Sequence, residues 1–288
     1  MKIKKLLPPI HIHPILIIFI IISVLTGTFV EMLVILSIVL FHELGHYLAA
    51  AYFKWRVRQV MLWVFGGVMD TDEFGNKPFH EEIIVTIAGP FQHVIIYFIV
   101  YIGSISSFIP ESLVELILLY NTSILIFNLL PIWPLDGGKL LFFLLSINLP
   151  YQKAYHSIVL FSMIFAVTLI LLQLLLYPFT LSVFLILVFL LIENRSEWNK
   201  RHYVFIRFLL NRYNGDAQIK SINPLTVSHQ TPLMAVFSQF RRDKRHPIYV
   251  RMPDASRLSI DENDCLRSYF FDKQFDKSIG EIATSVIT

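Results

Sequence analysis

The sequence predicts an α-helical polytopic membrane protein of about six transmembrane helices, followed by a small α/β domain. Three observations predict it. Hydrophobic residues make up 55% of the 288 positions and charged residues only 16%, against about 25% charged in ordinary soluble domains; mean hydropathy is +0.62. Apolar runs of membrane-crossing length recur up to about residue 192, and the chain is polar from Glu193 onward. Basic residues cluster on one side of those runs only. The composition excludes a soluble single-domain enzyme. The single cysteine, Cys265, excludes an intrachain disulfide, so folding needs no oxidising compartment.

The first span centres on residues 15–24 and extends to about 28, where Thr26-Gly27-Thr28 offers a turn. Lys2, Lys4 and Lys5 precede it, but His11, His13 and Pro14 interrupt the apolar stretch and it lacks a clear small-x-small site. It reads as an uncleaved span rather than a signal peptide. His11 and His13 read as interfacial or helix-start residues. The second span covers about 31–53 and ends at Lys54, Arg56 and Arg58. Residues 60–68 are apolar but too short to cross, and Gly66-Gly67 breaks them; a re-entrant or edge-strand segment fits. Residues 70–82, with Gly75-Asn76 and Pro78, read as a loop.

The third span covers 83–105 and contains Ala88-Gly89-Pro90, a close-packing or kink point, and His93, read as a packed, hydrogen-bonded polar residue. The fourth, 113–131, runs into prolines and glycines between Asn128 and Gly138. The fifth covers 157–176, and a short sixth covers 179–192 after a Tyr177-Pro178 turn. Loops near 27–31, 105–112 and 177–178 carry no Lys or Arg, whereas Lys54, Arg56, Arg58, Lys77, Lys139, Lys153, Arg195, Lys200 and Arg201 all fall on the other side. Six spans with both termini in the cytoplasm satisfy that asymmetry.

Residues 195–212 alternate basic and aromatic side chains and suit a helical connector along the membrane surface. Beyond about 219, residues 224–227 and 247–250 are strand-like, and 232–242 has helical spacing of Leu233, Val236, Phe237 and Phe240. The run Arg241 to Arg245 reads as a solvated face, with a phosphate or acidic partner as the alternative.

The chemistry concentrates at His42-Glu43-Leu44-Gly45-His46 in the second span. On a helix, positions i and i+4 share a face, so His42 and His46 can place two imidazoles on one Zn²⁺. Glu43, beside them, can take a proton from a water and return one to a leaving amine. Ionisable groups in hydrocarbon are costly unless they pair, bind metal or meet water, which favours a functional reading. A catalytic zinc wants a third ligand and one open position. Asp136 is the candidate, flanked by Pro134 and Gly137-Gly138; an Asp at a span end also serves as a cap or turn residue. Asn128 is a candidate hydrogen-bond donor to substrate or oxyanion. Gly66 and Gly67 read as a turn, or as a strand edge able to pair with an extended substrate.

H-E-L-G-H in an early span, together with N-x-x-P-x-x-P-L-D-G-G over Asn128 to Gly138, resembles the site-2 protease family of intramembrane zinc metalloproteases. The resemblance covers about 10–195. It implies His42, His46 and Asp136 as zinc ligands, Glu43 as the catalytic carboxylate, and Asn128 and Pro134 in the motif that holds substrate. The I-H-I-H-P start, F-G-G, A-G-P-F-Q-H and L-L-P-I-W-P-L-D-G-G-K further resemble the sporulation branch of that family. That branch implies cleavage of the precursor of the mother-cell sigma factor, sigma-K, in the membrane surrounding the forespore. It also implies restraint by two membrane-bound inhibitory partner proteins, and a C-terminal domain resembling a single CBS module with an ATP-sensing role. A lone CBS module implies pairing, hence a homo-oligomer. The expected division is a membrane metalloprotease domain over 1–195, a juxtamembrane linker helix over 196–218 and a CBS-like regulatory domain over 219–288. No direct nucleic-acid binding is expected. Another substrate, such as an anti-sigma factor or signal-peptide remnant, stays open. So does a metal transporter or CBS-regulated sensor without proteolysis, although Glu43 between the two histidines counts against transport.

Overall fold

Apolar runs set the helices and prolines set their starts. A computed structural model describes residues 10–63, 66–71, 77–105, 109–215, 221–254 and 256–287. The three N-terminal lysines and the Gly75-Asn76 turn lie outside them. Two compact units result, one from Met1–Phe74 with His80–Leu140, the other from Gly75–Phe79 with Leu141–Thr288.

The first unit opens with strand β1 (Ile10–Ile12) and helix α1 (Pro14–Thr26). His13 caps α1 by accepting the Ile15 N–H, Pro14 sits at its first position, and Gly27 closes it at φ +79°, where a side chain would be strained. Helix α2 (Phe29–Tyr52) follows, then strands β2 (Val57–Trp63) and β3 (Gly66–Thr71). The sheet order is β1-β2-β3, with β1 parallel and β3 antiparallel to β2, and Gly67 opposite Leu62. The described part of the segment expected to be re-entrant or edge-like is therefore the end of β2 and the start of β3, an antiparallel pair in which β3 is the edge. Leu16, Val39, Val60 and Leu62 form a core that joins α1, α2 and the hairpin.

Helix α3 (Phe79–Ile105) and helix α4 (Glu111–Leu129) complete the bundle. The loop expected over 70–82 is cut back at both ends, and its residues 72–76 lie outside the described ones. Pairing with β2 carries β3 to Thr71, and α3 begins directly after Pro78 with Glu81 and Glu82 in its first turn, where their charge favours a helix start. Trp55 donates its indole N–H to Glu81 at 2.8 Å.

An unexpected helix, α5 (Asp136–Asn148), follows the proline-rich break. In the second unit α6 runs from Tyr151 to Leu176, six residues earlier than the span start expected at 157, because Pro150 initiates it. Helix α7 runs unbroken from Leu181 to Tyr213. The expected short span and separate surface connector are one helix, since no Pro or Gly falls between those residues. Tyr151 of α6 stacks on Phe208 of α7 at 4.0 Å. Among the described residues, α2, α3, α4 and α6 are long and apolar enough to cross a membrane, and α1 is a shorter apolar helix. Their outward apolar side chains stay exposed, Leu175 at 78%, as lipid-facing helices require.

The C-terminal part holds a three-stranded sheet, β5 (Leu225–Ser228), β7 (Ile248–Arg251) and β8 (Arg257–Ile260), in the order β5-β7-β8. A two-stranded ladder pairs β4 (Ser221–Ile222) with β6 (Lys244–Arg245). Helices α8 (Leu233–Phe237), α9 (Glu262–Phe270) and α10 (Ile279–Ile287) accompany these strands. The two strands read from sequence are present, whereas the expected helix over 232–242 is only α8. Leu233, Val236, Phe237, Ile248, Val250 and Leu266 are fully buried. Cys265 is buried too, which pushes its thiol well above the usual range and leaves it unreactive.

Arg212, at the end of α7, ties that helix to this core. Its guanidinium reaches Glu262 at 2.5 and 2.9 Å and donates to the carbonyls of Arg241, Arg242 and Lys244. His246 stacks on Phe240 and accepts the Arg241 N–H at Nε2, so Nδ1 donates to Glu262. Burial pushes the His246 pKa down, keeping it neutral. Burial alone would raise Glu262, but the hydrogen bonds from His246 and Arg212 outweigh it and hold the carboxyl below its ordinary range. The basic run is not simply a solvated face. Arg242 is buried, lies over Phe79 and Phe143, and donates to the Lys77 carbonyl, while Arg245 pairs with Asp261.

Both native pKa values lie below their ordinary ranges, so both groups stabilise the fold above those ranges and lose that contribution as pH falls. Amide protection of residues 221–287 in detergent is expected to fall as pH drops below the ordinary histidine range. At neutral pH, Arg212→Met should reproduce that loss at a cost of about 3–5 kcal/mol, because it strands a buried carboxylate.

Candidate metal centre

Close backbone approach assembles the centre. Helix α2 turns His42, Glu43 and His46 inward, leaving each no more than 6% exposed. A Cβ at Gly45 would overlap the Ala88 carbonyl and Gln92, and one at Gly89 would overlap the His46 ring. The Ala88-Gly89-Pro90 segment is thus the close-packing point of α2 on α3. Asp136 arrives by the same means. A Cβ at Gly137 would overlap the carbonyls of Leu129 and Leu130, and one at Gly138 would overlap the backbone at Ile132 and Trp133. Only glycines let the first turn of α5 fold back onto the end of α4. The Trp133-Pro134 peptide within that reversal is cis.

His42 Nε2 and His46 Nε2 stand 3.0 Å apart, and Asp136 Oδ2 lies 3.2 Å from the first and 3.1 Å from the second. In a tetrahedron with zinc–ligand bonds of about 2.05 Å the donor–donor edge is about 3.3 Å. The triangle therefore fits zinc to within a few tenths of an ångström, and it is the cluster of metal-ligating side chains found among the described residues. The outer atoms agree. His46 Nδ1 lies 2.7 Å from the Val85 carbonyl. A carbonyl only accepts, so Nδ1 carries the proton and the Nε2 lone pair faces inward. Asp136 divides its oxygens, Oδ2 to the histidines and Oδ1 to Lys139 Nζ at 3.1 Å. Asp136 is the first residue of α5 and a member of the cluster.

The remaining residues named from sequence are distributed differently. Gly67 of β3 lies against Glu43, where a Cβ would overlap its side chain, and Gly66 has φ +149°. Asn128 donates Nδ2 to the Ile124 carbonyl one turn back, at 3.1 Å, rather than to the triangle. His93 is fully buried and meets His42 Nδ1 at 3.1 Å through Nε2 and Asn121 Oδ1 at 2.7 Å through Nδ1. Sequence reasoning missed Asn121, Lys139 and the Val85 carbonyl. Asn121 had a readable signal, an amide in mid-span where polar groups are costly.

The model of peptidase family M50 matches residues 30–109 and 105–172. Stage IV sporulation protein FB of Bacillus subtilis (strain 168) is 41% identical over 274 residues, 95% of either chain. The chain belongs to peptidase family M50. A zinc metalloprotease of Methanocaldococcus jannaschii is 35% identical over 127 residues, 42% of this chain and 36% of that one. The solved structure of the site-2 protease from the same organism superposes with a TM-score of 0.54 at 26% identity, over 67% of this chain and 92% of that one. Family, fold and donor set agree on the enzyme class, a zinc metalloendopeptidase of the site-2 type that cleaves within the membrane.

Gly89→Ala is expected to reduce the zinc retained after desalting by about tenfold or more, with helical content by circular dichroism unchanged. Full zinc retention would show that the close approach at Gly89 does not set the place of the His46 ring.

Proposed function

We propose that this peptidase cleaves the membrane-associated precursor of sporulation sigma factor K from the cytoplasmic side. The observation that carries the site assignment is the 3.0–3.2 Å triangle of His42, His46 and Asp136. In this reading those three hold Zn²⁺ and Glu43 is the general base. Bound zinc supplies Lewis acidity and a water acidified towards a pKa of about 7. Glu43 accepts the proton of the attacking water and delivers one to the leaving amine.

Peptide bonds in a helix are shielded by their own hydrogen bonds, so the substrate must meet the site extended. Among the described residues β3 is the edge strand of its sheet and could receive an added strand beside Glu43, with Gly66 and Gly67 keeping that edge free of bulk. Asn128, in the last turn of α4, and Pro134, in the reversal between α4 and α5, would be the further residues that hold the substrate.

The one-sided distribution of Lys and Arg supports both termini in the cytoplasm. Helix α7 is apolar only over 181–192, about 18 Å of helix, so as a sixth span it would draw on its first polar turns to reach across. With 13 residues, about 20 Å, α1 is short for a first span and would need local thinning. The substrate reading rests on the resemblance to the sporulation branch and on 41% identity along 95% of a sporulation protein. That resemblance also suggests the membrane around the forespore as location, two membrane-bound inhibitory proteins, and homo-oligomers through the C-terminal domain. The strand–helix–strand–strand–helix order of β5, α8, β7, β8 and α9 supports residues 219–288 as a CBS-like regulatory domain, where ATP would be the ligand to test. In that division 1–195 is the protease domain and 196–218 the juxtamembrane linker, whose residues 196–213 are the end of α7.

Co-expression with the sigma-K precursor is expected to yield cleavage that Glu43→Gln lowers by about 10²–10⁴-fold, with zinc content retained. Cleavage by neither protein would move the substrate elsewhere, to an anti-sigma factor or signal-peptide remnant; equal cleavage by both would remove Glu43 from the mechanism. Gly67→Val should abolish cleavage while zinc stays bound, and unchanged cleavage would rule out docking along β3.

A further inference from the structure

The two histidines of the triangle are oriented by different means. His46 leans on a backbone carbonyl, which no side-chain substitution removes. His42 leans on His93, a side chain whose own state is set by a third helix. Asn121 of α4 donates Nδ2 to the His93 backbone carbonyl at 3.2 Å. That carbonyl can only accept, so the amide cannot be reversed and Oδ1 must be the atom facing His93 Nδ1 at 2.7 Å. Oδ1 likewise only accepts, so Nδ1 of His93 donates. In neutral His93 the lone pair is then on Nε2, 3.1 Å from His42 Nδ1. His42 Nδ1 must donate to it, which leaves the His42 Nε2 lone pair pointing into the triangle. His42, His93 and Asn121 are at most 4% exposed, so water does not offer substitute partners.

We propose that His93 and Asn121 are positioning residues for the metal, a relay from α4 through α3 to α2 that selects the metal-binding tautomer of His42. Both act from behind His42: His93 meets its Nδ1, not its inward Nε2, and Asn121 meets His93. Without the Asn121 acceptor, the His93 proton is free to sit on Nε2 instead. It would then donate to His42 Nδ1, move the His42 proton onto Nε2 and aim that proton at the metal position. The inference rests on the His42–His46–Asp136 site reading given above.

The test is zinc retention by the full-length protein in detergent, under competition with a chelator of known affinity. The variants are Asn121→Leu, which keeps volume and removes the acceptor, and His93→Phe, which keeps the ring and removes both nitrogens. His93→Gln is the conservative control, because its amide oxygen can still accept from His42 Nδ1. Thermal stability of each metal-free protein is measured alongside, and the absorption of the Co²⁺-loaded protein reports the ligand field. Asn121→Leu and His93→Phe are expected to weaken zinc binding about 10–100-fold and to shift the Co²⁺ bands. His93→Gln should stay within about threefold of wild type, with metal-free stability alike in all four. Wild-type zinc affinity in Asn121→Leu and His93→Phe would overturn the relay while leaving the metal site standing. Equal weakening in all three variants, tracking a loss of metal-free stability, would reduce the pair to packing and also overturn it. Failure of the wild type to hold zinc would overturn the relay and the site reading together.

Discussion

Two imidazole lone pairs and a carboxylate oxygen within 3.2 Å of one another repel unless a cation lies among them. In apolar surroundings that repulsion is unscreened and each group has also lost its hydration. The described architecture answers this one constraint. Helix α2 supplies two donors from a single face, the glycines of α3 and α5 bring backbone close enough to place the rings and the third donor, and the remaining polar atoms are tied off. Val85 takes the His46 proton, Lys139 the second Asp136 oxygen, and His93 with Asn121 the back of His42. Few polar atoms around the centre are left to the surrounding hydrocarbon.

How far the sequence could be read follows from the range of each interaction. His42 and His46 were legible because their relation is local, four residues on one helix. Asp136 was legible because a lone carboxylate in a proline- and glycine-rich break is expensive, so a partner could be inferred before it was seen. The pairing of His93 with Asn121 was not legible, since they stand 28 residues apart on two separate helices. The sequence reading singled out His93 as a polar residue in a span but passed over Asn121, although its mid-span amide was a readable signal.

Elements followed the same division. Span centres emerged from hydropathy, while boundaries shifted where packing overrode it. Pro150 starts α6 early, β3 extends through its ladder with β2, and α5 forms where prolines and glycines suggested only a loop. The strand tendency of residues 60–68 was visible, but the register opposing Gly67 to Leu62 depends on the sheet. The Arg241–Arg245 run misled for a different reason. Its charges looked solvated because their partners, the Lys77 carbonyl, Phe79, Phe143 and Asp261, are far away in sequence.

Helix α7 leaves no joint between its apolar half and the Arg212 clamp. With neither proline nor glycine along its 33 residues, it offers no place for a kink, and Arg212 fastens its last turn to α9 and the strand ends. The C-terminal strands and helices therefore do not trail on a tether. They ride on a stiff shaft, so a push or twist applied to them reaches the apolar half of that shaft instead of being absorbed on the way.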